Sequence, residues 1–156
     1  MACLVDTSVL VRTADRQDDR HDMAARSLQE LRLQGERLVL APQNIVEFWA
    51  VATRPRSARG LGLTLKRTLG KVSELTEGFE ILPEGPAIFD EWLSLAERCA
   101  VAGKQVHDAR LAAWMRVHEI AEILTFNVDD FRRYPGVTPI HPREVAANGR
   151  PGLVGG

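Results

Sequence analysis

Short apolar runs alternate with amphipathic segments along most of the chain, and this alternation constrains the fold more than any other feature. The apolar runs predict strands at 2–6, 38–41, 79–82, 122–125 and 137–140. Between them, apolar residues at helical spacing predict helices at 22–34, 42–53, 64–77, 86–102 and 106–118, with shorter helical turns at 7–14 and 128–133. Strands that alternate with helices form a mostly parallel sheet. The sequence therefore predicts an α/β fold with four to five strands and helices on both faces.

The length and composition predict one soluble domain. A chain of 156 residues can bury a full core. The alternating pattern occupies 1–145, and we predict that 146–156 is a disordered tail. No apolar run approaches the roughly 20 residues that span a bilayer, so we expect no membrane association. Cys3 and Cys99 lack the CxxC spacing of a metal or redox site. We therefore expect two reduced, buried thiols and a cytoplasmic location.

Four acidic residues follow or neighbour the predicted strands. Asp6 ends the first strand and Asp130 follows the strand at 122–125. Glu47 lies inside the apolar helix 42–53, and Asp108 shares a face of its helix with apolar residues. Because ligands bind beyond the carboxyl ends of parallel strands, we expect these side chains to converge at one edge of the sheet. Clustered carboxylates cannot all stay ionised without a cation, which indicates Mg²⁺ or Mn²⁺ and phosphodiester chemistry.

Three of these acids also have a local structural explanation. Asp6 could be the N-cap of the following helical turn. Glu47 could reach solvent from the margin of the core, and Asp108 could interact with the dipole in the first turn of its helix. Any one of them alone is therefore a weak indication of a metal site.

The fourth acid has a local alternative and a competitor. Asn127 and Asp130 are three residues apart at the start of a short helical turn, as in a capping box. Asp129 is adjacent and could take the role of Asp130. From the sequence, both possibilities stay open.

The charge distribution is ambiguous about a nucleic-acid partner. The formal net charge is −1, so the chain as a whole is not basic. Basic residues are nevertheless concentrated in one stretch, which contains Arg54, Arg56, Arg59, Lys66 and Arg67. This stretch could follow a phosphate backbone, or it could be a solvated loop and helix face.

Other phosphate chemistries fit less well. The dipeptides His21-Asp22 and His107-Asp108 resemble the metal-binding pairs of HD phosphohydrolases, but that family is all-helical and strands are predicted here. A phosphatase with an aspartyl nucleophile would need a second acid shortly after Asp6, and none follows there. The glycine residues form no P-loop.

Five segments, taken in order and spacing, resemble PIN-domain ribonucleases, in particular the VapC-type toxins of prokaryotic toxin–antitoxin pairs. The resemblance covers about 2–145 and rests on LVDTSVL, APQNIVEFWAVATRP, VHDARLAAWM, ILTFNVDDF and PGVTPIHPREV. It implies a Mg²⁺- or Mn²⁺-dependent endoribonuclease that acts on RNA, forms a homodimer and is covered by a small antitoxin protein. The alternative is a catalytically silent module of the same shape that binds RNA or a protein.

The resemblance also implies a role for particular residues. The metal ligands and catalytic acids would be Asp6, Glu47, Asp108 and Asp130. The polar groups that support them would be Thr7, Ser8, Thr125 and Asn127.

Overall fold

The computed structural model describes residues 1–148 and consists of five short strands and seven helices. The strands are β1 (Ala2–Val5), β2 (Arg37–Leu40), β3 (Glu80–Ile81), β4 (Glu122–Leu124) and β5 (Thr138–Ile140). The helices are α1 (Thr7–Ala14), α2 (His21–Leu33), α3 (Pro42–Thr53), α4 (Leu65–Gly78), α5 (Ala87–Arg98), α6 (Gln105–Val117) and α7 (Pro142–Asn148). Short 3₁₀ turns lie at Arg56–Ala58 and Val128–Asp130.

All five strands are parallel, and their order in the sheet is β3-β2-β1-β4-β5. Leu4 in the central strand β1 is in register with Val39 of β2 on one side and Ile123 of β4 on the other. The chain therefore adds β2 and β3 on one side of β1 and then β4 and β5 on the other side. The order of strands thus changes direction at β1, although all strands stay parallel. A crevice forms at such a reversal, beyond the carboxyl ends of β1 and β4, and this is where α/β proteins bind ligands.

Both faces of the sheet are buried under helices. Leu4 packs into a core with α5 and α6 that contains Trp114 and Leu95, each fully buried. Cys3 and Val5, which point to the opposite face, pack into a second core with α1, α2 and α3. Because successive side chains of a strand alternate between faces, burial on both faces requires every central strand position to be apolar. This explains why β1 reads as a continuous apolar run.

The predicted α/β fold is confirmed, with differences at the ends of several elements. The segment 7–14, for which a short turn was predicted, is a helix of two turns. Helix α5, which was predicted to reach 102, ends at Arg98, and Ala100 then adopts a left-handed φ of 50°. The edge strand β3 has only two residues. Helix α7 was not predicted, and the expected boundary at 145 falls inside it. Most of the predicted disordered tail, 149–156, lies outside the described residues.

Within the described residues, neither Cys3 nor Cys99 forms a disulfide bond. Cys3 is buried, but Cys99 is only half-buried. Within 1–148, no helix is long and apolar enough to cross a membrane.

Candidate active site

Asp6 lies at the reversal point of the sheet, directly after β1. Its backbone N–H donates to Leu124 O of β4 (2.9 Å), so the residue continues the parallel ladder. The side chain is only 7% exposed. Its Oδ2 accepts hydrogen bonds from Ser8 Oγ and Thr125 Oγ1, both at 2.7 Å. Burial raises the pKa of Asp6, and the hydrogen bonds from Ser8 and Thr125 oppose that rise. Asp6 occupies the N-cap position of α1, but its side chain makes no capping hydrogen bond.

The hydroxyl groups around Asp6 tie the ends of β1 and β4 together. Ser8 Oγ also accepts from Phe126 N (3.2 Å), and Thr125 Oγ1 accepts from Asn127 N (3.0 Å). Thr7 serves a different contact, because its hydroxyl accepts from a side chain of α3 rather than contacting an acid. Thr125 and Ser8 thus fix the orientation of one carboxylate, as a metal-ligating carboxylate requires.

Helix α3 brings Glu47 to the same crevice. Pro42 occupies the first turn of the helix, where its missing N–H costs nothing. Asn44 Oδ1 accepts from Ala41 N (2.9 Å), and Asn44 Nδ2 donates to Thr7 Oγ1 (3.2 Å). These two hydrogen bonds fix the start of α3 against the start of α1. As a result, Glu47 lines the cleft that Asp6 lines.

Gln43 holds the carboxylate of Glu47 in place. Its Nε2 donates to Glu47 Oε1 (3.1 Å) and to His107 O (2.8 Å), and its Oε1 accepts from Arg110 Nη1 (3.1 Å). One amide therefore connects α3 to α6. Burial raises the pKa of Glu47 and the negative charge of Asp6 adds to the rise, while the hydrogen bond from Gln43 opposes it.

Asp108 lies near enough to the other three acids for their charges to raise its pKa. It lies in the first turn of α6 and lines the cleft beside Asp6 and Glu47. Burial, and after it the nearby charges of Asp130, Asp6 and Glu47 in that order, raise its pKa to about 7. Repulsion of this kind requires carboxylates that share one space. The structure therefore brings the four predicted acids together from four separate segments.

Asp130 is at the edge of this group. It lies in the 3₁₀ turn after β4 and lines the pocket that adjoins the cleft rather than the cleft itself. Among the neighbouring charges, it is the one that raises the pKa of Asp108 most. Asp129 lines the same pocket, but its side chain is 88% exposed and pairs with Arg132 (2.7 Å). Asn127 makes no capping hydrogen bond through its side chain, so the capping-box interpretation is wrong.

Two arginines of the basic stretch line the cleft. The segment after α3 folds back on the end of that helix, with Gly62 N bonded to Arg54 O (2.8 Å). Gly60 permits this close approach, because a Cβ there would lie 2.0 Å from Arg54 O. Arg56 and Arg59, which lie in this turn, line the cleft together with the acids. Part of the basic stretch thus lies beside the candidate site.

Arg12 is a functional candidate that the sequence analysis missed. Its Nη1 donates to Ser8 O (2.8 Å), and its guanidinium lies 4.6 Å from the centre of the Phe126 ring. Burial lowers its pKa, and the charge of Asp18 opposes this change. Arg12 lines the cleft about one turn beyond Asp6. The available signal was a single charge inside the apolar run VLVRTA.

The acids fit a hydrated divalent cation better than a cage built only from protein. In the part of the chain that the structure describes, no three His, Cys, Asp or Glu side chains form a group that could hold a metal ion as placed. Mg²⁺ keeps several of its waters and is held by one or two carboxylates together with substrate oxygens. The donors present are carboxylate oxygens, and burial together with their mutual repulsion raises the pKa of Asp108 to about 7. A cation would relieve that repulsion, so the residues suit Mg²⁺ or Mn²⁺.

Comparison with known proteins identifies the family. The family model described as "PIN domain" matches residues 3–137, which is most of the chain. The chain belongs to the PIN-domain family. A search of curated proteins finds no match for this PIN domain.

Solved structures share the fold at low sequence identity. VapBC2 from Rickettsia felis, bound to a DNA fragment from its promoter, matches with a TM-score of 0.68 and 13% identity over 90% of this chain and 98% of that one. VapBC-1 from nontypeable Haemophilus influenzae matches with a TM-score of 0.66 and 18% identity over 91% and 98%. VapC20 from Mycobacterium tuberculosis, a toxin that cleaves the sarcin-ricin loop, matches with a TM-score of 0.58 and 17% identity over 79% and 87%. At these identities the likeness concerns the fold.

Proposed function

We propose that this PIN domain is a Mg²⁺- or Mn²⁺-dependent endoribonuclease and the toxin of a toxin–antitoxin pair. The observation that carries the proposal is one cleft at the carboxyl end of β1 that is lined by Asp6, Glu47 and Asp108, with Asp130 in the adjoining pocket. Burial and the charges of the other three acids raise the pKa of Asp108 to about 7. The side-chain partners of Asp6 are hydroxyl groups and that of Glu47 is an amide, so neither carboxylate is neutralised by a basic partner.

The chain's own residues would divide the work as follows. Hydrogen bonds from Ser8 and Thr125 orient the carboxylate of Asp6. A hydrogen bond from Gln43 orients the carboxylate of Glu47. These carboxylates would hold a Mg²⁺ ion, which when bound would supply a water of lowered pKa and positive charge beside the phosphate. A carboxylate oxygen of Asp6, Glu47 or Asp108 would accept the proton of the attacking water.

A single-stranded RNA is the substrate that the wall of the cleft suits. Arg12, Arg56 and Arg59 line the same cleft of about 620 Å³ as the acids. Arg56 already forms an ion pair with Asp15 at 3.3 Å, so a phosphate would compete with a carboxylate for the same guanidinium. The near-neutral chain thus has guanidinium groups beside the acids that could bind phosphate. The cleavage of RNA by the similar VapC20 fold is consistent with this choice.

Incubation of the purified protein with total RNA tests the proposal. We expect new RNA ends with Mg²⁺ or Mn²⁺, no cleavage with a chelator, and no cleavage by Asp6→Asn or Asp108→Asn protein that is still folded. Asp129→Asn is the matched control, because this carboxylate is adjacent to Asp130 but exposed and paired with Arg132. Cleavage by Asp6→Asn protein at the wild-type rate would contradict the assignment.

Among residues 1–148, no three His, Cys, Asp or Glu side chains are placed so that they could hold a metal ion, and this favours a second candidate function. The domain would then be a catalytically silent module that binds RNA or a protein through the same cleft. Titration with Mn²⁺ separates the two functions. A nuclease should bind Mn²⁺ in the wild type and lose that binding in Asp108→Asn protein, whereas a silent module should bind RNA without metal.

A small antitoxin and a second copy of the chain are the partners that we propose, in the cytoplasm. The similar structures from Rickettsia felis and Haemophilus influenzae are VapBC assemblies, which supports the first partner. Exposed apolar side chains are available for such contacts, namely Leu65 and Leu69 on α4 and Phe89 and Leu93 on α5. Light scattering of the purified chain, alone and with the product of an adjacent gene, measures both associations.

A further inference from the structure

A second pocket adjoins the acidic cleft and has no role in the chemistry described so far. It encloses about 620 Å³ between the 3₁₀ turn after β4 and the start of α7. Asn127 lines both the pocket and the cleft, and Asp130 lines the pocket while its charge acts on Asp108 in the cleft. If one phosphate of a single-stranded RNA lies beside the acids in the cleft, the neighbouring nucleotide would lie at this pocket.

His141 provides the accessible aromatic surface of the pocket. Its ring meets the Phe126 ring edge to face, with centroids 5.2 Å apart and an interplanar angle of 88°. Phe126 itself is only 8% exposed and carries the guanidinium of Arg12 at 4.6 Å. Phe126 is thus a support, and the half-exposed ring of His141 is the one that a ligand can reach.

The hydrogen bonding of His141 fixes its tautomer. The backbone N–H of Arg143 donates to His141 Nδ1 (3.0 Å), so Nδ1 is an acceptor and carries no proton. The ring hydrogen is therefore on Nε2, where it can be donated to a ligand. A flat ring with one fixed donor suits a heterocycle that stacks and accepts a hydrogen bond.

The charges around the pocket favour a neutral ligand over an anion. Arg132 and Arg143 line it together with three acids, Asp129, Asp130 and Glu144. Opposite charges at close range give little net attraction for a phosphate, but they offer donors and acceptors to the edge of a base. The pocket volume is also within the range of about 300–1,000 Å³ that small-molecule sites occupy.

We propose that this pocket binds one unpaired RNA base next to the scissile phosphate, stacked on His141. The proposal rests on the nuclease function proposed above and adds to it the place at which base identity is read. Arg56 and Arg59 would then contact the backbone on one side of the acids, and His141 would contact a base on the other.

Binding of short single-stranded RNAs tests the proposal without cleavage. The probes are fluorescent homopolymers of each base and an abasic ribose-phosphate strand of the same length, measured by anisotropy with a chelator present. We expect the wild type to bind at least one base-bearing strand about fivefold or more tightly than the abasic strand, the lower end of what stacking contributes. His141→Ala protein should lose that difference, and His141→Phe protein should keep part of it, because it retains a ring but no donor.

His118→Ala is the matched control. Its ring is also half-exposed and packs against an aromatic residue, Trp114, with centroids 4.5 Å apart. Its Nε2 is hydrogen-bonded to Pro83 O, and it lines neither pocket. This variant should keep the wild-type preference. Equal base preference in His141→Ala and wild-type protein, or no base-dependent binding by the wild type, would overturn the proposal.

The result is separable from the nuclease function. If the wild type cleaves RNA with Mg²⁺ while His141→Ala protein keeps the base preference, the base pocket is wrong and the nuclease stands. If the wild type cleaves nothing yet binds bases through His141, the nuclease is wrong and the pocket stands.

Discussion

Replacing Asp108 by asparagine should stabilise the metal-free protein while it abolishes metal binding. In the wild type, Asp108 has a raised pKa because it is buried and lies near Asp130, Asp6 and Glu47. A carboxyl whose pKa is higher in the folded than in the unfolded state costs stability once the pH is high enough to ionise it. An amide of the same shape carries no charge, so it removes the repulsion at neutral pH.

The size of the effect follows from the pKa of Asp108. A rise from 3.8 to about 7 is roughly three units, which at about 1.4 kcal/mol per unit gives at most about 4 kcal/mol. The side chain is partly exposed, so solvent screening reduces this figure to about 1–2 kcal/mol. For a chain of this length, each kcal/mol raises Tm by about 2–4 °C.

Thermal unfolding at pH 8, with chelator and then with saturating Mn²⁺, measures both halves of the prediction. We expect Asp108→Asn protein to melt above the wild type with chelator. With Mn²⁺ the order should reverse, because a ligand that binds only the folded state stabilises only the protein that can hold it.

Asp22→Asn is the matched control, because Asp22 is also an acid in the first turn of a helix, α2, but is exposed. Its neutralisation removes only an interaction with the helix dipole, which should lower stability by about 0.3–1 kcal/mol. If Asp108→Asn protein with chelator loses stability as Asp22→Asn protein does, then Asp108 is an ordinary first-turn acid and the repulsion inferred from the structure is absent.

Four further predictions concern the same site. The affinity for Mn²⁺ should rise as the pH increases through about 7, because Asp108 must lose its proton to bind the ion; calorimetric titration at several pH values measures this. The stability of the metal-free wild type should fall as the pH increases from 3.8 to about 7, because Asp108 ionises in the unfolded chain before it does in the folded one; urea unfolding measures this. A profile that does not change with pH would contradict either prediction. Asp130→Asn should weaken Mn²⁺ binding while Asp129→Asn should not, and equal losses in the two variants would remove the distinction between them. Thr125→Val should lower the free energy of unfolding in urea by about 1–3 kcal/mol, because it removes one donor from the buried carboxylate of Asp6 and the acceptor of the Asn127 N–H. It should also weaken Mn²⁺ binding, and unchanged binding would show that this hydroxyl does not position the carboxylate.

Much of the fold could be read from the sequence, because buried parallel strands and amphipathic helices leave strong patterns. The β1 run ACLV is apolar at every position because both faces of the sheet are covered. Helix α7 was missed because it is short and its apolar contact with the rest of the chain is long-range. The ends of α5 and β3 depended on local backbone geometry and on the edge of the sheet, which carry little sequence signal.

The sequence by itself determined which segments form most of the strands and helices. It placed Asp6 and Asp130 after strands, Glu47 in a helix that follows a strand, and Asp108 near the start of a helix that follows another helix. Those are local properties, since they depend on residues a few positions apart. Only the tertiary structure decided that the order of strands changes direction at β1, so that Asp6, Glu47 and Asp108 line one cleft. It also decided that the charge of Asp130 acts on Asp108 from the adjoining pocket, whereas Asp129 pairs with Arg132. It also decided that Gln43 and Arg12 join the site and that His141 borders it. Contacts between distant segments depend on strand order and helix packing, which no local pattern encodes.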